Sequence, residues 1–235
     1  MVYAFKTICE KCGFKVTALK DTDIHSVIRI LKEECKKWKE PIVTEISRRH
    51  DPFKVLISTL ISLRTKDEVT RDAASRLFQV ADNLYNMAKL KQKTIEKALY
   101  PAGFYRTKAR NITRICSIIL NEKNGKVPDE IDELLKLPGV GRKTANLVVT
   151  LGFGKPGICV DTHVHKISNR LGYVRAKTPE KTEFALREKL PGHYWIEYND
   201  LLVTFGQNTC TSVSPFCSGC GLFSFCDREG VVRSR

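Results

Sequence analysis

The sequence predicts an all-α protein. Apolar residues recur at helical spacing through most of the chain, Pro- and Gly-containing breaks separate the helical stretches, and strand signals are few and short. From Asp23, the stripe Ile24, Val27, Ile28, Ile30 and Leu31 marks a first amphipathic helix, followed by the basic stretch Lys32 to Lys39 and broken by Pro41. Asp51-Pro52 places an N-cap and a first-turn proline ahead of Phe53 to Leu63, whose nearly continuous apolar content predicts a buried central helix. Asp67 to Phe78, Asp82 to Lys89 and Lys93 to Ala98 read as further helices, the last ended near Pro101-Ala102-Gly103. Thr107 to Glu122 carries Ile112, Ile115, Ile118 and Ile119 and stops at Asn124-Gly125, glycine being favoured just past a helix end. Pro128 to Leu135, Arg142 to Phe153, Asp161 to Leu171, Pro179 to Leu190 with Thr178 as cap, and His193 to Gln207 complete the series before a cysteine-rich tail.

Lys and Arg number 40 against 26 acidic residues, a formal net charge of +14. Such a surplus points to a polyanionic partner, because each neutralised phosphate releases counterions. No apolar run approaches the ~20 residues of a membrane helix. Met1 to Thr22 also lacks the long apolar core of a signal peptide. A cytoplasmic or nucleoid location, with no membrane partner, is therefore expected. Nine cysteines in a reducing compartment favour metal ligation over disulfides. Cys9-Glu10-Lys11-Cys12 resembles half a zinc knuckle, but no further ligands follow at a zinc spacing, so two reduced thiols on an N-terminal extension (residues 1–22) is the preferred reading. Cys116 and Cys159 read as buried structural thiols.

Leu137-Pro138-Gly139-Val140-Gly141 joins two of the predicted helices into a helix-hairpin-helix. Gly139 and Gly141 permit positive φ and close backbone approach. The hairpin amides and the next helix N-terminus form an anion site, and on a +14 chain the natural anion is a DNA phosphate. Leu137, Gly139, Val140, Gly141 and Arg142 are the candidate DNA contacts. Lys143 follows directly. A first-turn lysine is ordinarily solvated or phosphate-bound, but the positive helix end and Arg142 favour its neutral amine, which is a nucleophile. Asp161, eighteen positions on, is either an ordinary N-cap or a partner for that amine, and residue type alone does not decide. The four thiols of Cys210-x6-Cys217-x2-Cys220-x5-Cys226 suit Zn²⁺ or an iron–sulfur cube.

These segments together resemble the helix-hairpin-helix DNA glycosylases of the endonuclease III family. Leu137-Pro-Gly-Val-Gly-Arg-Lys-Thr-Ala145 matches the family hairpin, and Val160-Asp-Thr-His163 matches a second signature at the family's spacing. Gly103-Phe104-Tyr105 with Lys108-Ala109 matches a third, and the likeness runs from about Asp23 to Arg228. The resemblance implies a monomeric bifunctional DNA glycosylase and AP lyase of base excision repair, removing oxidised pyrimidines from damaged double-stranded DNA. Lys143 would attack C1′ and displace the base, and the resulting Schiff base would lose the 3′ phosphate by β-elimination. Asp161 would help deprotonate Lys143 and stabilise charge on the sugar. The four tail cysteines would carry a [4Fe–4S] cluster with a structural and DNA-positioning role.

By family position Phe104 is the wedge that fills the hole left by a flipped base, and Arg64 stands where a second filler, commonly glutamine, is found. His163 is a phosphate contact or a helix-capping residue. Thr211 to Phe216 departs from the family in having no Lys or Arg, so Arg228, Arg233 and Arg235 are the alternative source of backbone contacts. The implied architecture is two helical lobes: residues 44–155 with the hairpin, and residues 23–43 plus 156–235 with the cluster loop. A cleft between them would join Lys143 to Asp161. The rival readings are a monofunctional or mismatch-directed (G:T or G:U) glycosylase of the same superfamily, a non-catalytic DNA-binding module, and a zinc-dependent structural protein.

Overall fold

The computed structural model describes residues 19–39, 41–47 and 51–235, and among these every regular element is helical. The expectation for Cys9 and Cys12 lies outside the described residues. The chain groups into two compact units. Residues 19–39, which hold α1 (Ile24–Cys35), belong with Val160–Arg235. Glu40–Cys159 forms the other unit, with α2 (Ile42–Ser47), α3 (Pro52–Ser62), α4 (Asp67–Val80), α5 (Leu84–Ala88), α6 (Gln92–Leu99), α7 (Tyr105–Glu122), α8 (Ile131–Leu135) and α9 (Arg142–Leu147). The chain then returns to the first unit with α10 (Thr162–Arg170), α11 (Pro179–Lys189) and α12 (Trp195–Asn208).

In the Glu40–Cys159 unit, α3 is the central helix that its apolar run predicts. The Asp51 carboxylate accepts from the amides of Phe53 at 3.0 Å and Lys54 at 3.1 Å, and Pro52 occupies the first helical position. Val55, Leu56, Ile57, Leu60 and Ile61 are all buried, together with Ile112, Ile115 and Ile119 of α7. Cys116 and Cys159 are buried in the same core. Beyond Leu147, α9 continues as a π-helical turn, Val148–Gly152. Gly152 lets that turn press on α3, since a Cβ there would meet Pro52 Cα at 2.9 Å.

Helix α2 has no counterpart in the sequence reading. α1 already ends at Cys35, well before Pro41, whose carbonyl accepts the Glu45 amide at 3.2 Å and so opens the next helix. Six residues are too few for a helical period to show. Several boundaries also move by a few residues. α8 starts at Ile131 rather than at Pro128, and α12 starts at Trp195 after a 3₁₀ turn over Gly192–Tyr194.

In the other unit, Ile24, Val27, Ile28 and Leu31 are the buried face of α1, which packs on α12, while α10 packs on α11 and α12. Two tyrosines are buried with their hydroxyls satisfied: Tyr198 with Ser168 Oγ at 3.1 Å, and Tyr173 donating to the Lys189 carbonyl at 3.1 Å. Thr178 caps α11 through the Lys181 amide. Among the described residues no helix is long and apolar enough to cross a membrane.

Candidate active site

The hairpin is built by packing before it is available to any ligand. Leu137 and Val140 are buried in the core of their unit, and their amides are spent inside the turn, on the carbonyls of Leu134 and Leu137 respectively. Both side chains therefore shape the hairpin from within and do not stand at its surface. Gly139 takes φ +79°, and a Cβ on it would lie 2.3 Å from Asn111 Nδ2 of α7. The left-handed φ favours glycine there, and a Cβ would also force the Asn111 amide to move. Gly141 is different: it is exposed, and as N-cap of α9 it has φ −103° and ψ 177°, which any residue adopts. A Cβ on it would touch nothing within 4 Å. Of the positive φ that both glycines permit, only Gly139 makes use.

Arg142 and Lys143 open α9 and are half-buried, with Thr144 and Ala145 behind them in the core. The Lys143 carbonyl accepts from the Cys159 thiol at 3.6 Å, which ties the first turn of α9 to the end of the same unit. Asp161 belongs to the other unit. It is the N-cap of α10, buried, with Oδ1 accepting from the amides of His163 at 2.8 Å and Val164 at 2.9 Å. His163 lies in the first turn of α10, so it is no cap for that helix's C-terminus. Its ring lies against Gly206 of α12, where a Cβ would come within 2.3 Å of Nδ1.

Phe104 and Arg64, far apart in sequence, meet within the Glu40–Cys159 unit. The Arg64 guanidinium carbon stands 5.6 Å from the centre of the Phe104 ring. Both residues have left-handed backbones, φ 53° and 56°, and the Phe104 side chain is 63% exposed.

Cys210, Cys217, Cys220 and Cys226 are half-buried and line one apolar pocket with Ile167, Leu171, Phe205 and Leu222. Among the described residues no group of three or more His, Cys, Asp or Glu side chains is set to hold a single metal ion. Burial pushes the Cys220 thiol up to about 11 and that of Cys226 to about 12. It raises Cys210 as well, against the opposing hydrogen bond from Arg170. Arg235 stacks on Phe216 at 3.8 Å, and its Nε and Nη2 donate to the Ser214 carbonyl, which sets a guanidinium on the uncharged Thr211–Phe216 loop. Arg228 stacks on Phe223 at 4.6 Å.

Residues 57–192 match the HhH-GPD superfamily of base excision DNA repair proteins. The chain is 46% identical over 202 residues to endonuclease III of Thermotoga maritima, covering 83% of this chain and 95% of that one. The chain belongs to the endonuclease III family. Its fold agrees with two solved structures at 33% identity, each covering 90% of this chain. One is a non-covalent endonuclease III–DNA complex, with a TM-score of 0.79 and 97% of that chain covered. The other is a trapped endonuclease III–DNA covalent intermediate, with a TM-score of 0.75 and 98% covered. As a member of the endonuclease III family the protein is a DNA repair glycosylase.

Two residues of this endonuclease III family chain are given no role by the sequence: Arg170 is not singled out, and Lys108 stands only as part of a matching segment. Arg170, in the last turn of α10, is buried, and it donates to the carbonyls of Cys210, Thr211 and Ser212 and to the Cys210 sulfur, at 2.8–3.4 Å. Its own carbonyl accepts from the Cys226 thiol at 3.2 Å. Lys108 is buried and donates to the carbonyls of Ile61 and Leu63 and to Thr65 Oγ1, at 2.6–2.7 Å. Both are basic residues on helices rich in them, and nothing in their spacing separates them from solvated neighbours.

Proposed function

We propose that the protein is a bifunctional DNA glycosylase and AP lyase that removes oxidised pyrimidines from duplex DNA, working as a monomer at the nucleoid. The observation that carries this reading is Lys143, a half-buried lysine in the first turn of α9, two residues after Gly141. No internal clash or backbone angle calls for glycine at 141, so its bareness suits the close approach of an outside group. A DNA phosphate on the hairpin amides would place the neighbouring deoxyribose near α9.

The Lys143 amine attacks C1′ as the glycosidic bond breaks, and the bonding pair leaves with the base, which takes up a proton. The C1′–O4′ bond of the closed sugar then breaks, its electron pair going to O4′, which takes up a proton, and leaves an iminium at C1′. That iminium carbon acidifies a proton on C2′. Loss of that proton then expels the 3′ phosphate. Asp161 accepts a proton from Lys143 and offsets positive charge on the sugar. The endonuclease III–DNA covalent intermediate supports a covalent route for this chain as well.

The four tail thiols would hold a [4Fe–4S] cluster. They stand around a shared apolar pocket, and four thiolates are a donor set that suits iron–sulfur ligation. When bound, the cluster would supply cross-linking of the Cys210–Cys226 loop. Visible absorbance near ~400 nm and bound iron test this, and a colourless zinc-loaded protein overturns it.

Borohydride reduction during turnover of damaged duplex tests the nucleophile. A protein–DNA adduct is expected with the native chain and none with Lys143→Ala. Trapping by that variant, or no trapping by the native chain alongside base release, removes Lys143 from the role.

A further inference from the structure

Lys108 is not part of the chemistry above, yet it is buried and fully engaged. Its ammonium has three hydrogens, and the structure gives it three acceptors: Ile61 O at 2.6 Å, Leu63 O at 2.7 Å and Thr65 Oγ1 at 2.7 Å. Two of these are carbonyls at the C-terminal end of α3, where carbonyls have no partner within the helix. The lysine thus caps α3 from α7 and fixes the path of residues 61–65.

That path carries Arg64. On the other side of the same contact, Gly103 presses on it, since a Cβ at 103 would lie 2.6 Å from the Arg64 carbonyl oxygen. Arg64 and Phe104 both hold left-handed backbones, which residues with a Cβ keep only when their surroundings impose them. The product is an exposed aromatic ring with a guanidinium stacked on it.

The stack is also placed relative to the hairpin. Phe104 is the N-cap of α7, its carbonyl accepting the Lys108 amide at 3.0 Å, and Lys108 and Asn111, three residues apart within α7, share one face. Asn111 is the residue against which Gly139 closes. Seven residues of helix set the stack about 10 Å from the hairpin along α7.

We propose that Lys108 is the positioning residue of the wedge, holding the Arg64–Phe104 stack in its inserting geometry before DNA is bound. The proposal rests on the reading of Phe104 as wedge. Lys108 touches no DNA; it acts by tying the Arg64 loop to α7.

The test uses the full chain and a duplex with an uncleavable tetrahydrofuran abasic analogue opposite 2-aminopurine, whose emission changes when its stacking is disturbed. Single-turnover release of an oxidised pyrimidine is measured beside it. Lys108→Met keeps the bulk and removes the donors. It should lose most of the emission change and slow release about tenfold or more, while affinity for undamaged duplex stays within about twofold. Thr65→Val removes one acceptor at constant shape. It should give the same effects at about threefold, and it decides the matter if Lys108→Met does not fold. Phe104→Ala should reproduce the emission loss. If Phe104→Ala loses the signal while folded Lys108→Met, or failing that Thr65→Val, matches the native chain, Lys108 is not the positioning residue and the wedge reading stands. If Phe104→Ala keeps the native signal, the wedge reading falls and the role of Lys108 falls with it.

Discussion

The Leu137–Gly141 hairpin and the Cys210–Cys226 loop are both irregular backbone, held by different means. The hairpin is held from within: Leu137 and Val140 are buried, their amides close the turn, and Asn111 fits the bare Gly139. The cysteine loop leaves much of its apolar content in water, with Val213 86% and Phe216 41% exposed. Its backbone carbonyls are held by two guanidinium groups, Arg170 on Cys210, Thr211 and Ser212 and Arg235 on Ser214, and its thiols face a common pocket. A turn packed into a core needs no added cross-link, whereas a loop with little buried apolar surface does. The working surface of the hairpin is then free for a ligand, while the inner face of the cysteine loop is reserved for whatever joins its thiols.

The largest expected effects separate chemistry from architecture. Lys143→Ala should abolish borohydride trapping and slow base release by about a thousandfold or more, with stability changed by less than about 1 kcal/mol. Cys220→Ser should do the reverse to the protein, with iron content and visible absorbance falling and the Cys210–Cys226 segment opening to protease. A Lys143→Ala chain that loses its iron would show that the two regions depend on each other for folding.

Arg170→Met comes next. It leaves the carbonyls of Thr211 and Ser212 without their 2.8 Å donors, in part-buried surroundings, at a cost of about 3 kcal/mol. Chemical denaturation of the full chain measures it. A cost below about 0.5 kcal/mol would mean that the thiols alone hold the loop.

Within the hairpin the comparison narrows to two glycines. Gly139→Ala meets both a left-handed φ and Asn111 Nδ2, and should destabilise by about 1–3 kcal/mol. Gly141→Ala meets neither and should leave stability within about 0.5 kcal/mol, while weakening duplex affinity several-fold. Equal stability losses would remove the argument that Gly141 is bare for an outside partner.

The sequence showed most of the helices and the whole hairpin, because apolar period, caps and turn glycines are local signals. Asp51 and Thr178 cap the helices they were expected to cap. Asp161 does so too, through His163 and Val164, which leaves its part in catalysis a separate question. What stayed hidden depends on distance along the chain. Lys108 meets its partners across more than forty residues and Arg170 across some forty, and neither pairing leaves a trace in spacing. The stack of Arg64 on Phe104 is hidden for the same reason, although each residue was singled out alone. Gly139 and Gly141 look alike in sequence, and only backbone angles and neighbours tell them apart.

The smallest predicted effect is a pH dependence at Lys108. Burial pulls its ammonium down to about 8, from an ordinary value of 10.5, while its three acceptors favour the charged form. Between pH 8 and 10.5 the unfolded chain therefore binds more protons at this residue than the folded chain. By linkage, the contribution of Lys108 to stability rises with pH across that window, and the cost of burying its charge is fully present below it. Positioning of the wedge should move the opposite way, since a neutral amine has two hydrogens for three acceptors. From pH 7 to 9 the 2-aminopurine emission change should shrink by about a third to a half, even as the denaturation midpoint gains from this group. Lys108→Met should flatten both trends, and the difference between the two chains isolates the residue from other titrations. Parallel rises in emission change and stability would show that the clamp works as well without its charge.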